Sequence, residues 1–343
     1  MTYRKGFAIG AGVLLAILLL GMLWAWRSYS AFLSQPVLSN AQKRVVIIKP
    51  GTAFRSIVAQ IVPSHDRRRI WAWTFLAFKR AAARTIKAGE YEVQPGMRPE
   101  QLLQDWIDGR VIQYRFTIIE GWEFKQLRQS LLDEPIMTGS LSDADIDQFM
   151  VDVGRAGQSP EGLFLPETYL YPRHYARLDL LRQAYDAMQK TLHEAWNSRL
   201  LNLPLKDPYA VLILASIVEK ETAVFGERAQ IAGVFMNRLL RGMRLETDPT
   251  VIYGLGTNYH GNLRRQDLRT VTPYNTYTNA GLPPTPISLP GAAAIKATVR
   301  PDENEYLYFV ARGDGTHQFS TSFAQHSNAV RRFQRKKRVT AKK

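Results

Sequence analysis

Residues 207–222 run Asp207-Pro208-Tyr209-Ala210-Val211-Leu212-Ile213-Leu214-Ala215-Ser216-Ile217-Val218-Glu219-Lys220-Glu221-Thr222. Asp207 is a good helix N-cap, and Pro208 suits the first helical position, where a missing N–H costs nothing. From Val211 to Val218 every residue except Ser216 is apolar, so the helix must be buried on most sides. Such a helix needs a domain with a sizeable core around it. The composition allows one, because the 343 residues are 45% hydrophobic, 11% aromatic and 22% charged, within the globular range.

Glu219 lies one turn beyond Ala215 and shares the face of small and apolar residues. An acid at the end of an apolar helix is expected to lose solvent. Desolvation disfavours its ionised form and raises its pKa, as a proton donor near neutral pH requires. The plainer alternative is a helix-terminal Glu that turns to solvent or pairs with Arg228, and periodicity alone favours that alternative. Glu221 sits roughly 200° around the helix, so the two carboxylates cannot converge on one bond. A second helix is expected at about 227–241, with Ile231, Val234, Phe235 and Leu239 on its packing face and Gly242 as its stop.

Upstream, a pattern repeats. Val45-Val46-Ile47-Ile48 leads through Lys49-Pro50-Gly51 to Phe54 and Ile57. Tyr91-Glu92-Val93 leads through Gln94-Pro95-Gly96 to Leu102 and Leu103. Phe116-Thr117-Ile118-Ile119 leads through Glu120-Gly121 to Phe124 and Leu127. Each copy reads as strand, glycine turn and amphipathic helix. A Trp- and Arg-rich helix from about Arg67 to Arg84 precedes the middle copy. Small strand–helix–helix–strand modules of this shape often bind glycans, but they also serve as ordinary packed α+β units. Residues 128–205 read as mainly helical, broken by Glu161-Gly162-Leu163-Phe164-Leu165-Pro166-Glu167-Thr168-Tyr169, a cleft edge or a structural corner.

Further upstream, Phe7 to Trp26 holds 20 residues without a charge, about 30 Å of helix and one hydrocarbon thickness. Trp24 and Trp26 fall where an aromatic belt would sit. Arg4 and Lys5 precede the run and only Arg27 follows it before Lys43, which favours an amino terminus inside and the remainder outside. A signal peptide has a shorter apolar core and a prompt small-residue cleavage site, and neither is present here. A buried core helix would show a polar face.

The chain carries 45 Lys+Arg against 30 Asp+Glu, a formal charge of +15. Anionic partners are therefore favoured, but the membrane segment argues against nucleic acid. There is no cysteine, which excludes disulfides, thiolate nucleophiles and zinc–cysteine sites. The six histidines, His65, His174, His193, His260, His317 and His326, lack metal-ligand spacing, so no metal site is expected. His317 beside a hairpin turn is the one candidate among them for lining a cleft. No G-x-S-x-G elbow is present.

The block Ala215-Ser216-Ile217-Val218-Glu219-Lys220-Glu221-Thr222 resembles the signature of the YceG-like family of endolytic murein (lytic) transglycosylases. Further blocks are similar to the same family: Thr247-Asp248-Pro249-Thr250-Val251-Ile252-Tyr253-Gly254, then Tyr274-Asn275-Thr276-Tyr277, then Gly281-Leu282-Pro283-Pro284-Thr285-Pro286-Ile287. Tyr306-Leu307-Tyr308-Phe309-Val310 follows and continues through Gly313-Asp314-Gly315 to His317-Gln318-Phe319. The resemblance implies an α+β fold with a cytoplasmic N-terminus (1–6), one transmembrane helix (7–26), a LysM-like subdomain (44–114) and a mixed α+β catalytic domain (115–330); the residues between read as a tether (27–43), and the basic tail (331–343) is less characteristic of the family and takes nothing from it. The resemblance also implies a single-pass inner-membrane protein facing the periplasm, cleavage of nascent peptidoglycan strands, a role as terminase of glycan elongation and association with peptidoglycan synthases. The family's catalytic glutamate maps onto Glu219.

Ordinary glycosidases use two carboxylates, and only one convincing candidate stands out here. One suffices if the substrate supplies its own nucleophile. Glu219 would protonate the oxygen leaving the MurNAc anomeric carbon, then take the proton from that sugar's C6 hydroxyl as a 1,6-anhydro ring closes. No cofactor is needed. Asn275 and Tyr277 suit an N-acetyl or peptide carbonyl and Tyr274 a sugar face, with Thr276 and Asp248 as further substrate-binding candidates. Against these stand plainer readings: Asp248-Pro249 as a turn or helix cap, and Leu282-Pro283-Pro284 as a rigid loop. The tail, eight Lys/Arg in the thirteen residues from Arg331 to Lys343, could touch anionic lipid or wall polymer, or be a solvated end. The competing functions are a muramidase hydrolysing the same bond and a non-catalytic, membrane-anchored wall-binding scaffold.

Overall fold

The computed structural model of the chain describes residues 2–38 and 42–333. It divides into two compact units, Met1–Tyr114 and Arg115–Lys343. The first contains α1 (Thr2–Ser34), β1 (Arg44–Ile48), α2 (Phe54–Val58), α3 (Arg67–Lys79), β2 (Gly89–Val93) and α4 (Pro99–Asp108). Strands β1 and β2 pair antiparallel, from Arg44 opposite Val93 to Ile48 opposite Gly89. Val46, Ile48, Tyr91 and Val93 point inward while Val45 and Ile47 stay exposed, the period of two expected of a sheet covered on one face.

The core of this unit is aromatic. Trp73 of α3 stacks on Trp106 of α4, with ring centroids 5.5 Å apart. Phe32 of α1 meets Trp73 edge-on at 5.6 Å, and Tyr29 meets Phe75 at 5.0 Å. The three strand–glycine–helix repeats form at 44–58, 89–108 and 114–132, the last made by β3 (Tyr114–Thr117) and α5 (Phe124–Leu132). Each turns on a glycine in the left-handed region, Gly51, Gly96 and Gly121, at φ 76°, 80° and 77°, where a β-carbon would be strained.

Among the described residues one helical stretch, Gly12–Ser34, is long and apolar enough to cross a membrane. The structure differs from the expected partition just after it. Residues 27–34, assigned to a tether, continue α1, and Tyr29, Phe32, Val37 and Leu38 are buried in the first unit's core. The reason is local: no proline or glycine interrupts the chain between Gly21 and Pro36, and Tyr29 and Phe32 share one helical face.

The second unit continues from α5 through α6 (Asp143–Asp152), β4 (Thr168–Tyr171), α7 (Arg177–Asn197), α8 (Pro208–Glu221), α9 (Arg228–Leu240), α10 (Asp248–Leu255), α11 (Ala292–Val299), β5 (Tyr308–Ala311), β6 (His317–Ser320) and α12 (Phe323–Phe333). Strand β3 pairs with β4, and β5 with β6 in an antiparallel hairpin. Helix α8 is the centre of this unit. Asp207 caps it by accepting the Ala210 N–H at 2.8 Å, every residue from Val211 to Glu219 is buried, and α7, α9, α10 and α11 all pack on it. Helix α12 extends through Arg331 and Arg332 to Phe333, so the basic segment begins inside a helix. Its remainder, 334–343, lies outside the described residues.

Trp73→Ala should lower the stability of the first unit by about 3–5 kcal/mol, because its fully buried ring carries contacts from both α1 and α4. Thermal melts of the detergent-solubilised chain, followed by near-UV circular dichroism, check this. An unchanged transition would show that the stacked pair contributes little.

Candidate active site

Glu219 ends the apolar stretch of α8 and its side chain is 4% exposed. Two donors hold its carboxylate. Arg228 Nη2 donates to Oε1 at 2.9 Å, and the Gly291 N–H donates to Oε2 at 3.0 Å. Burial raises the pKa of Glu219. The Gly291 N–H and the Arg228 cation pull it back, and the Glu120 charge adds to the rise, but burial prevails. Pairing with Arg228, the plain alternative from periodicity, is thus present together with the desolvation.

The same Arg228 nitrogen donates to Glu120 Oε2 at 3.2 Å. Arg228 is 9% exposed and Glu120 46%, so Glu120 is the solvent-facing member of the trio. Sequence reasoning finds a single carboxylate here, with Glu120 only a part of a glycine turn. Only the fold brings Glu120 to the Glu219–Arg228 pair.

The segment 287–291 locks these groups in place. The Ser216 hydroxyl accepts the Ile287 N–H at 3.0 Å, and Ser288 Oγ donates to the Ser216 carbonyl at 3.1 Å. Leu289 exchanges backbone hydrogen bonds with Gly121 and Trp122. Ser216, the one polar residue in the apolar run, therefore docks this loop one turn before the acid. Gly291 follows as the residue before α11, and a β-carbon there would collide with the Glu120 carboxyl. Its glycine is required by space rather than by torsion, since φ is −74°. Sequence reasoning missed Gly291, which lies four residues beyond the quoted proline-rich block.

Two further carboxyls are unusual. Glu161, in the loop read as a cleft edge or corner, is buried and accepts hydrogen bonds from the Phe124 N–H at 3.0 Å and the Tyr253 hydroxyl at 3.1 Å. Burial pushes its pKa up from 4.5 to about 7. It lines a cavity of about 410 Å³ with Glu123, Tyr253 and Tyr274. Glu221, half-buried, accepts from the Thr247 hydroxyl and is likewise raised to about 7, first by burial and then by Asp248. It lines a separate cavity of about 430 Å³ with Asp248, Tyr277, His317 and Tyr308.

The predicted substrate-binding residues are therefore split. Tyr277 donates to Asp248 Oδ1 at 2.7 Å on the Glu221 side. Tyr274 lies on the Glu161 side, its hydroxyl 2.9 Å from Thr285 Oγ1 and its ring against Tyr253 at 4.8 Å. Asn275 and Thr276 differ from expectation, because both are fully buried and offer a ligand no surface. The Asn275 amide donates to the carbonyls of Leu268 and Thr270 and its oxygen accepts from the Tyr277 N–H, while Thr276 Oγ1 accepts the Thr247 N–H and pairs with Thr250. They shape the loop that presents Tyr274 and Tyr277. Glu219 lines neither cavity. Asp248 is also the first residue of α10, and His317 donates its backbone N–H to Glu227 Oε1 at 2.9 Å. Among the described residues no group of three or more His, Cys, Asp or Glu could hold a metal.

The model of the YceG-like family matches residues 46–332. Among curated proteins, the chain is 26% identical to the endolytic murein transglycosylase of Bacillus subtilis, covering 89% of each chain. It is 28% identical to the endolytic murein transglycosylase of Streptococcus pneumoniae, covering 90% of this chain and 62% of that longer protein. Among solved structures, a YceG-like protein of Listeria monocytogenes superposes with a TM-score of 0.54 at 27% identity, covering 84% of this chain and 99% of that one.

Two outcomes follow from the electrostatics. Arg228→Ala removes the cation that lowers the Glu219 pKa, so its titration, read by carbon NMR of labelled glutamate, should move to higher pH; a move downward would refute the assignment. Glu161 keeps in the folded state a proton that the unfolded chain loses above 4.5, so its contribution to stability falls as pH rises from 4.5 to about 7. Glu161→Gln abolishes that loss, and its stability relative to the parent should rise by on the order of 3 kcal/mol across the window, as denaturant titrations at each pH would show.

Proposed function

The chain belongs to the YceG-like family, and from that premise we propose that it is a peptidoglycan lytic transglycosylase in which Glu219 acts first as acid and then as base. The observation carrying this is the Glu219 carboxyl, buried at the end of α8 with a raised pKa and oriented by Arg228 and the Gly291 amide. The names of the Bacillus and Streptococcus relatives support the substrate class.

Protonated Glu219 gives its proton to the glycosidic oxygen as the bond to the MurNAc anomeric carbon breaks. The positive charge developing at that carbon is met by the sugar's own C6 oxygen, and the Glu219 carboxylate takes the C6 hydroxyl proton as the 1,6-anhydro ring closes. Atoms balance without water. Between the two transfers the carboxylate is an anion in a dry site, and its two fixed donors stabilise it there without needing to reorganise. Burial favours the acid and the donors favour the base, so one group can serve both half-reactions. Tyr274, Tyr277 and Asp248 are proposed to bind the glycan or its peptides, with Asn275 and Thr276 holding their loop.

The reading extends to the rest of the chain. Helix α1 anchors it in the inner membrane with the amino terminus in the cytoplasm and everything after α1 in the periplasm. The β1–β2 module, LysM-like in element order, grips the strand. The products are shortened nascent strands, which makes the enzyme a terminase of elongation working beside the synthases. A second reading, hydrolysis by a muramidase, draws on Glu120, whose carboxylate shares Arg228 with Glu219 and could serve as the second group that hydrolysis requires.

Mass spectrometry of digested peptidoglycan decides between them. Anhydro ends, one water lighter than reducing ends, should dominate, and Glu219→Gln should cut turnover by about 100-fold or more with an unchanged melting temperature. Reducing ends would establish hydrolysis, full turnover by the variant would refute Glu219 as the acid, and a cellular effect kept in full by the variant would leave a scaffold as the remaining reading.

A further inference from the structure

We infer that the first two turns of α3 form a second membrane contact beside α1, seating Arg67, Arg68 and Trp71 in the phospholipid headgroup layer. This rests on the reading of α1 as a membrane span. One face of α3, with Ala72, Trp73, Leu76 and Ala77, is buried in the first unit. The opposite face should be polar if it met only water. It instead presents Trp71, 49% exposed, Phe75, 40% exposed, and Phe78, 81% exposed. The Trp71 and Phe75 rings stack at 5.6 Å with 9° between their planes. Apolar surface gathered in this way marks a site of contact with something apolar.

The position of α3 says what that is. The Arg68 guanidinium lies 5.2 Å from the Trp24 ring of α1, and Phe75 lies against Tyr29 five residues further along. Helix α3 therefore runs alongside α1 with its amino-terminal end level with Trp24. Trp24 stands near the end of the apolar run, where an interfacial indole belongs. Trp71 is within about 5 Å of that level along the helix, at 1.5 Å per residue. The helix opens with three arginines and contains no acidic residue. Guanidinium forks match phosphate oxygens and indole rings suit the headgroup boundary, so the face is continuous with the membrane segment in both position and chemistry. The contact would hold the first unit at a set height above the bilayer.

The chain has no cysteine, so single cysteines introduced for labelling are unambiguous. Met22→Cys on α1, Trp71→Cys and Thr74→Cys on the exposed face of α3, and Gln104→Cys on α4 are each coupled to a nitrobenzoxadiazole label. The full chain is reconstituted into phosphatidylethanolamine–phosphatidylglycerol vesicles containing spin-labelled lipid as quencher. Quenching at 71 and 74 several-fold above that at 104, together with quenching at 22, is the expected result. Quenching at 22 but only background at 71 and 74 overturns the inference, keeps the anchor and leaves the α3 face to a protein partner. Background at 22 overturns the anchor and the inference together.

Discussion

A carboxylate taken out of water at the end of an apolar helix is the constraint around which the second unit is arranged. Helix α8 can be buried on every side only because nearly all of its residues are apolar, and that burial desolvates the acid at its end. An ionised carboxyl there would be prohibitively costly alone. Arg228 and the Gly291 N–H offset the cost while leaving a net upward pull on the pKa. Weaker burial would leave an ordinary surface acid, and stronger pairing would leave an inert salt bridge.

This balance dictates residues well away from position 219. Ser216 must be polar inside an apolar run because its hydroxyl and carbonyl dock residues 287 and 288. Gly291 must lack a side chain because Glu120 occupies the space. Glu120 in turn lies beside Gly121, whose N–H is held by Leu289. Three stretches far apart in the chain, around 120, 216–228 and 287–291, thus meet around one carboxylate.

That convergence explains what was legible in the sequence. The α8 helix, its Asp207 cap, the three glycine-turn repeats, the 228–240 helix and the hairpin turn are local in origin, and periodicity and turn chemistry reveal them. Glu219 stood out through its apolar context and its motif. The Glu120–Arg228 link, the packing demand on Gly291 and the burial of Glu161 are long-range, and no local pattern encodes them. Asn275 and Thr276 show the reverse failure. Their types suit sugar recognition, but the same hydrogen-bonding capacity is consumed by loop carbonyls and amides, a use that sequence cannot distinguish from ligand binding.

The first unit poses the same problem in apolar terms. A membrane helix joined to a soluble module by a loose linker would leave the module free to rotate. Here Tyr29 and Phe32, just beyond the apolar run, are buried against α3 and its Trp73–Trp106 stack, so α1 is part of the module's own core. Pulling α1 away would expose those two rings and open the unit's centre, with a cost comparable to deleting large core side chains. The aromatic core thus fixes the direction in which α1 leaves the module. Two aromatic residues placed directly after the apolar run join α1 to the module rather than leaving it on a loose linker.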